Sequence, residues 1–546
     1  MAIRAAEIFG VLIAMIAFSG YADELTAPSP PKMSIVTSSS SYCAAPIIGY
    51  GFGRHATGGC NVVHVTSLLD PLPWMPQGVC PDRTNCTLRA AATKANSYVV
   101  FDVSGTIVLN EKLVPAASVT IDGSSTPRPG IWITNTYEHT TAGQIDIHNN
   151  NIILTQLRFR PSVFVDSNSR CINIANGQDI LIDHVSCAWP YDEGIAMAGY
   201  TYPDHSDSIR NVTVQYSILA EGLNPQSHST LHDGDVGNIT WFQNLFSSTR
   251  DRNAKFCPGN PDVNDSPSGL KLTCNAADLT CGTFEIIQNF VYNFTYGLRL
   301  TSRSPSFVAK FDIVQNYFKA GPIRSFTSNE KLPIFADNVD GYSDPAHLHI
   351  FQLGNLKDYP RAGDTGQQCD NFGILSANIN ECAGLWSRYD AGKRQITDHA
   401  LPESLTAIQA RDRVLITAGA QLPCMDTEDR RILSDAKNNT GPRDWLSSGN
   451  FIGSKPLPIL KSIGSRANPI VVIAGVDSEN EIGGGAIQID NEIINYSSIN
   501  TLSSDPVGYR RVELLNSPKN RHATGAVIQS FPLRPAPLLS GPICAP

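Results

Sequence analysis

Charged residues in this chain fall into short groups suited to binding or activating a charged ligand. Arg250-Asp-Arg-Asn-Ala-Lys255 places three cations within six residues. A guanidinium offers a rigid fork of donors that matches a carboxylate, whereas a lysine ammonium is a mobile point charge. Asp192-Glu193 sets two carboxylates side by side, and Arg170 lies upstream in Asn168-Ser-Arg-Cys-Ile-Asn-Ile174. Grouped carboxylates can pair with an arginine or serve a hard cation, which asks for roughly six to eight oxygens. His184, after Asp183, and His228, in Gln226-Ser-His-Ser-Thr230, add imidazoles whose charge changes near neutral pH. Taken alone, two arginines after a strand also read as a solvated polar turn.

The surrounding charge limits the ligands such groups could meet. Lys and Arg total 41 against 50 Asp and Glu, a net charge of −9 over 546 residues. That field repels nucleic acid and anionic lipid at long range, so no nucleic-acid partner is expected. A polyanionic ligand would have to be held by local cations or a metal. Charged residues make up 17% of the chain, below the usual ~25%, while the hydrophobic share of 42% is ordinary. Wholesale disorder and a long coiled coil are both excluded. A β-rich, loop-rich secreted protein remains.

The N-terminus fits secretion. Arg4 precedes the apolar run Phe9-Gly-Val-Leu-Ile-Ala-Met-Ile-Ala-Phe18, and Gly20-Tyr-Ala22 is a small-x-small cleavage pattern. Residues 1–22 therefore read as a signal peptide, too short to span a bilayer, and no later run predicts a membrane span. The 13 cysteines show no zinc spacing, which favours disulfides. Close pairs are Cys80/Cys86, Cys274/Cys281 and Cys369/Cys382, and Cys171 and Cys187 could meet across adjacent coils. Glycosylation triplets begin at Asn85, Asn211, Asn238, Asn264, Asn293, Asn438 and Asn495, acceptors if the host is eukaryotic.

One pattern then repeats through the middle of the chain. It reads Asn151-Ile-Ile-Leu-Thr-Gln-Leu157, Asp179-Ile-Leu-Ile-Asp-His-Val185, Asn211-Val-Thr-Val-Gln-Tyr-Ser217 and Asn238-Ile-Thr-Trp-Phe-Gln-Asn244. It returns as Thr283-Phe-Glu-Ile-Ile-Gln-Asn289 and Lys310-Phe-Asp-Ile-Val-Gln-Asn316, with a fainter copy ending at Asp337-Asn338. Short period-two strands at near-constant spacing predict a parallel β-helix, in which each coil stacks on the last. Asn244, Asn289 and Asn316 hold the same place in successive units and would form a ladder of side-chain amides. The organisation expected is a cap region over 43–97, with a short helix near Thr87–Ala95 closing the stack, and a parallel β-helix over 98–345. An irregular and helical extension over 346–455 and a small β-rich module over 468–546 follow.

Specific words accumulate on this frame. Gly51-Phe-Gly-Arg-His-Ala-Thr-Gly-Gly59, Val63-His-Val-Thr-Ser-Leu-Leu-Asp70, Val99-Val-Phe-Asp-Val-Ser-Gly-Thr-Ile107 and Thr120-Ile-Asp-Gly123 come first. Leu157-Arg-Phe-Arg160, Ile182-Asp-His184, Ala220-Glu-Gly-Leu223, Asn244-Leu-Phe246 and Arg250-Asp-Arg-Asn253 follow. In this order, over about Gly49 to Gly441, they resemble the secreted pectate lyases.

The resemblance implies an all-β, right-handed parallel β-helix that cleaves polygalacturonate, a pectic polysaccharide, by β-elimination, usually with calcium. It places the catalytic arginine at Arg252 and puts Arg250, Lys255, His228 and Arg170 towards the substrate. It puts Asp192 or its neighbour Glu193 towards the metal, and Asp166 and Asp183 could supply further oxygens. Where the family has Arg-x-Pro-Arg, this chain has Arg252-Asn-Ala-Lys255. A family metal carboxylate falls on Arg170 and another on Ala196. Three functions are thus set side by side: a calcium-using pectate lyase, a metal-independent pectin lyase-like enzyme with Arg170 in the cation's place, and a degenerate β-helix that binds polysaccharide or serves a structural role. Nothing suggests an obligate interface, so a secreted monomer is expected.

Overall fold

The computed structural model describes residues 47–71, 80, 85–135, 143–161, 169–199, 208–223, 226–259, 282–303, 307–323, 332–336, 345–358 and 391–443, together with the strands between 456 and 531. The signal-peptide segment, Asp166, Asn264, Asp337-Asn338 and the pairs Cys274/Cys281 and Cys369/Cys382 lie outside these residues.

Alternation of apolar and polar residues makes the repeats strands, and stacking buries their apolar faces. Each coil contributes one strand to each of three parallel sheets, which have ten, nine and seven strands among the described residues. One coil runs Gly177–Asp183, Ser186–Ala188 and Glu193–Gly199, and the next runs Ile209–Gln215, Ile218–Ala220 and His228–Gly234. Their neighbours pair in parallel register, Ile182 with Val214 and Ile195 with Thr230. Crossovers between twisted parallel strands wind right-handed, giving a right-handed parallel β-helix. All six repeats fall in the ten-stranded sheet. Leu154, Ile182, Val214, Trp241, Ile286 and Ile313 stack through successive coils into one continuous core.

The corners explain how so few glycines serve so many turns. Gln156, His184, Tyr216, Gln243, Gln288 and Gln315 adopt φ between 48° and 56°, one per coil, each leaving the ten-stranded sheet. A left-handed residue costs roughly 1–2 kcal/mol where a Cβ is present. The amide ladder beside this corner offsets that cost. Asn244 donates its backbone and side-chain N–H groups to Asn289 Oδ1 at 2.9 and 3.0 Å. Asn289 does the same to Asn316 at 2.8 and 3.0 Å. The stacking expected of these three asparagines is therefore present, and Asn355 extends it by one rung.

The rungs run past the 98–345 limits at both ends. Asn61–Val65, inside the expected cap region, pairs with Ser97–Phe101, and Leu348–Leu353 pairs with Ala309–Val314. Both are short β-branched or apolar strands that the repeat pattern passed over. The short helix Leu88–Ala92 is capped by the Thr87 side chain and buries Leu88, Ala91 and Ala92 in the main core. Helices Ala407–Thr417 and Thr427–Asn438 pack apolar residues with those of the nine-stranded sheet. The C-terminal strands form a closed antiparallel six-stranded barrel, which begins at Pro456, ahead of the expected 468 boundary.

Disulfides join Cys80 to Cys86 and Cys171 to Cys187. Cys257 is a buried free thiol. Among the glycosylation triplets, Asn85 and Asn438 are exposed. Asn293 is a correction: it is fully buried, with its amide bonded to Ser248 Oγ and the Pro442 carbonyl, leaving no room for a glycan. Asn211 and Asn238 bond to one another at a coil corner, which likewise commits their amides. No helix among the described residues is long and apolar enough to cross a membrane.

Candidate functional site

The chemistry-bearing residues gather on the seven-stranded sheet. Strand Arg170–Ile174 lies beside Glu193–Gly199, which pairs with His228–Gly234, which pairs with Lys255–Pro258. Glu193 is opposite His228, and His228 bridges to Asp251. The Cys171–Cys187 disulfide ties the strand carrying Arg170 to the next coil, which carries Asp192 and Glu193. Gly194 fits closely in between: a Cβ there would come 3.1 Å from both Cys187 Sγ and the Ser229 carbonyl, so these neighbours would have to give way slightly.

Arg170 and Arg252 converge on the two carboxylates. Arg170 bonds Asp192 Oδ2 and Glu193 Oε2, each at 2.9 Å, and donates to Asn173 Oδ1 at 3.2 Å. Arg252 Nη1 reaches Glu193 Oε1, and His228 Nδ1 lies 3.3 Å from Asp192 Oδ1. Glu193 is fully buried. Burial pushes its carboxyl above the ordinary range against the pull of Arg170, with Asp192 adding to the rise and Arg252 opposing it. Burial, reinforced by Arg252, pushes His228 down to about 3, so its ring is neutral at physiological pH. A neutral ring on a carboxylate oxygen carries its proton on Nδ1 and leaves Nε2 as an acceptor. His228 is thus a hydrogen-bonding group rather than the cation that a substrate carboxylate would seek.

Asp192, Glu193 and His228 bring ligand-type atoms within 4.8 Å of one another, an arrangement that could hold a metal ion. The remaining donors do not fit calcium as arranged. All four carboxylate oxygens already face Arg170, Arg252 or His228. Ala196 is fully buried against Leu231 and Cys257 and supplies no oxygen. Asp183 belongs to the ten-stranded sheet, where Thr155, His184 and Gln215 take its oxygens. A hard cation wanting roughly six to eight oxygens would have to displace a guanidinium.

The other expected residues divide. Arg250 is exposed at the coil's edge, and its backbone N–H donates to Ser227 Oγ. Lys255 is buried, in register between Leu231 and Arg299. Sequence reasoning missed Asn173, Asp251 and Arg299. Alternation could have flagged Arg299, since Leu298 and Leu300 on either side point into the core. Only the stacked register places it near Asp251.

No family model matches the chain. It is 27% identical over 409 residues to the probable pectate lyase C of Aspergillus fumigatus, covering 74% of this chain and 78% of that one. The namesake from Aspergillus terreus is 26% identical over 402 residues, covering 72% and 80%. The chain is a relative of the pectate lyases. A third relative in that pectate lyase set, from Emericella nidulans, is 30% identical over 328 residues, covering 59% of this chain and 62% of its own. Solved structures similar to this chain include the cedar pollen allergen jun a 1, with a TM-score of 0.41, 16% identity, and 68% and 92% coverage. A Bacillus subtilis pectate lyase variant has a TM-score of 0.36, 12% identity, and 68% and 96% coverage. The family is one of polysaccharide lyases.

Proposed function

We propose that this chain is an eliminative lyase of pectic polysaccharide, cutting α-1,4-linked galacturonan with Arg252 at the reaction centre. The observation that carries the proposal is the convergence of Arg252 and Arg170 on a buried carboxylate pair, with Arg252 Nε buried and lacking a hydrogen-bond partner among the described residues. A buried unpaired donor costs about 1–3 kcal/mol, which a substrate oxygen would recover. The C5 proton of a galacturonate is α to its carboxylate, and its loss builds charge on that carboxylate. Donors already aimed there lower the barrier without reorganising. A guanidinium stays protonated, so Arg252 acts here as a hydrogen-bond donor and fixed charge towards the developing enolate. A base from the solvent takes the C5 proton, its electron pair forms the C4–C5 double bond, and the C4–O bond breaks with the departing oxygen taking a proton from water, which leaves an unsaturated end.

A second reading, in which methyl-esterified galacturonan is the preferred substrate and no metal takes part, draws on Arg170. Its guanidinium sits between Asp192 and Glu193, where the family's usual calcium would need oxygens. The two readings separate in one assay of unsaturated-product absorbance, run on unesterified and esterified pectin, with calcium and with chelator. Product only with calcium on polygalacturonate supports the calcium-using pectate lyase. Product in chelator on esterified pectin supports Arg170 in the cation's place. No product on either, with the fold intact by circular dichroism, refutes the proposal and leaves a polysaccharide-binding or structural β-helix. An Arg252→Ala variant with full activity would remove Arg252 from the centre.

A further inference from the structure

Arg252 stands in a conformation that its own sequence does not favour. Its φ is 59°, in the left-handed region, and the residue carries a full side chain. Three contacts hold it there. Its carbonyl accepts the Thr230 N–H at 2.9 Å, its guanidinium meets Glu193, and its backbone N–H donates to Asp251 Oδ1 at 2.6 Å. Asp251 is itself pinned. Its backbone N–H donates to the Ser227 carbonyl and its own carbonyl accepts from Ser229, both at 3.2 Å.

The second oxygen of Asp251 reaches the next coil. Oδ2 accepts from Arg299 Nη1, across 48 residues of sequence. Arg299 is anchored in turn: its guanidinium carbon lies 5.9 Å from the Tyr296 ring centroid and 6.0 Å from that of Phe335. Those two rings stack with centroids 5.8 Å apart and planes at 26°. Asp251 therefore spans two coils, with one oxygen on the backbone of Arg252 and the other on a guanidinium held against aromatic faces.

We propose that Asp251 is a positioning residue for Arg252: its carboxylate fixes the left-handed backbone of Arg252 from a coil-spanning ion pair with Arg299, and so aims the Arg252 guanidinium at Glu193 and the substrate. This rests on the eliminative function proposed above. Small displacements of a reacting group cost up to about 100-fold in rate. Asp251→Ala should lower kcat roughly 10- to 100-fold with KM little changed. Asp251→Asn keeps an oxygen for the Arg252 N–H and should recover most of kcat. A residue acting through Arg252 should add nothing once Arg252 is gone, because members of one unit are not additive. Asp251→Ala in an Arg252→Ala background should thus leave the residual rate unchanged.

A multiplicative loss in that background, or no loss in the single variant, overturns the proposal. Wild-type protein inactive on both pectins would be a failure of the function, and the brace is then decided by hydrogen exchange at the Arg252 amide. Faster exchange in Asp251→Ala than in Asp251→Asn and wild type, at equal urea midpoints, supports the brace, and equal exchange in all three overturns it. If Asp251→Ala fails to fold, Asp251→Asn and Asp251→Ser carry the same comparison, since Ser offers a shorter acceptor.

Discussion

Replacing Arg170 with methionine tests whether a guanidinium has taken over the work of a cation in this site. Methionine keeps much of the volume and removes the charge. Arg170 is ion-paired, at 2.9 Å each, to a fully buried Glu193 and a nearly buried Asp192. After the change, Glu193 keeps Arg252, and Asp192 is left facing the neutral His228. Each close pair is worth about 4 kcal/mol at an effective dielectric near 20, and the guanidinium's own desolvation cost is recovered when it leaves. Removing one partner from a buried ion pair typically costs about 3–5 kcal/mol, the value expected here at pH 7.5 in chelator.

The loss should depend on pH. Burial and Asp192 already hold the Glu193 carboxyl above its unfolded value of about 4.3, and losing Arg170 raises it further. The native state then binds the proton more tightly than the unfolded state. Stability falls as pH rises through that window, so the deficit of the variant shrinks towards about pH 5. Millimolar calcium should recover part of the deficit by occupying the vacated position, while leaving the wild-type midpoint unchanged. Urea unfolding followed by circular dichroism, at several pH values, with calcium and with chelator, reads all of this. A wild-type protein stabilised by calcium, or a variant as stable as wild type at pH 7.5, would refute the reasoning.

Other outcomes follow from the same structure. His228, pushed down to about 3, should show no titration of its ring signals between pH 5 and 8 by NMR; a midpoint near 6.5 would contradict its burial. Burial pushes Asp312 up to about 6 despite donors from Gln395, Ile396 and Arg394. Its folded value exceeds the unfolded value of about 3.9, so its contribution is present at low pH and lost as pH rises towards 6. Asp312→Asn should flatten the unfolding midpoint over that window. Asn244→Ala breaks the amide ladder and leaves the Ser217 N–H and the Val214 carbonyl without these partners. It should cost about 2–4 kcal/mol in urea unfolding, at about 1–3 kcal/mol per buried unpaired group.

Much of the fold was legible because a solenoid repeats its instructions. Six copies of one alternating pattern define the ten-stranded sheet, and recurring Asn244, Asn289 and Asn316 mark one corner rung by rung. The left-handed corners were not legible. Gln156, Tyr216 and Gln288 fill places where a turn would ordinarily be sought as glycine or Asn-Gly, because stacked neighbours bear the strain. The site was legible in residue types. Arg170, Asp192, Glu193, Arg252 and His228 were all singled out, and they do meet. Their partnerships were not legible, nor was the part played by Asp251 and Arg299.

Local pattern alone is enough to wind this chain into coils and to assign the side chains that each coil carries. Period-two alternation is local, and burying one face of it is the same physics in every repeat. Which charge meets which is set by how the coils stack. Contacts between stacked coils join residues 23, 59 and 48 positions apart, for Arg170–Glu193, Arg252–Glu193 and Asp251–Arg299, the second of them reaching across an intervening coil. Those offsets vary with each loop's length, so no fixed spacing announces them. A buried carboxylate pair must then choose between guanidinium and metal, and that choice depends on which cations the stacked register delivers to it.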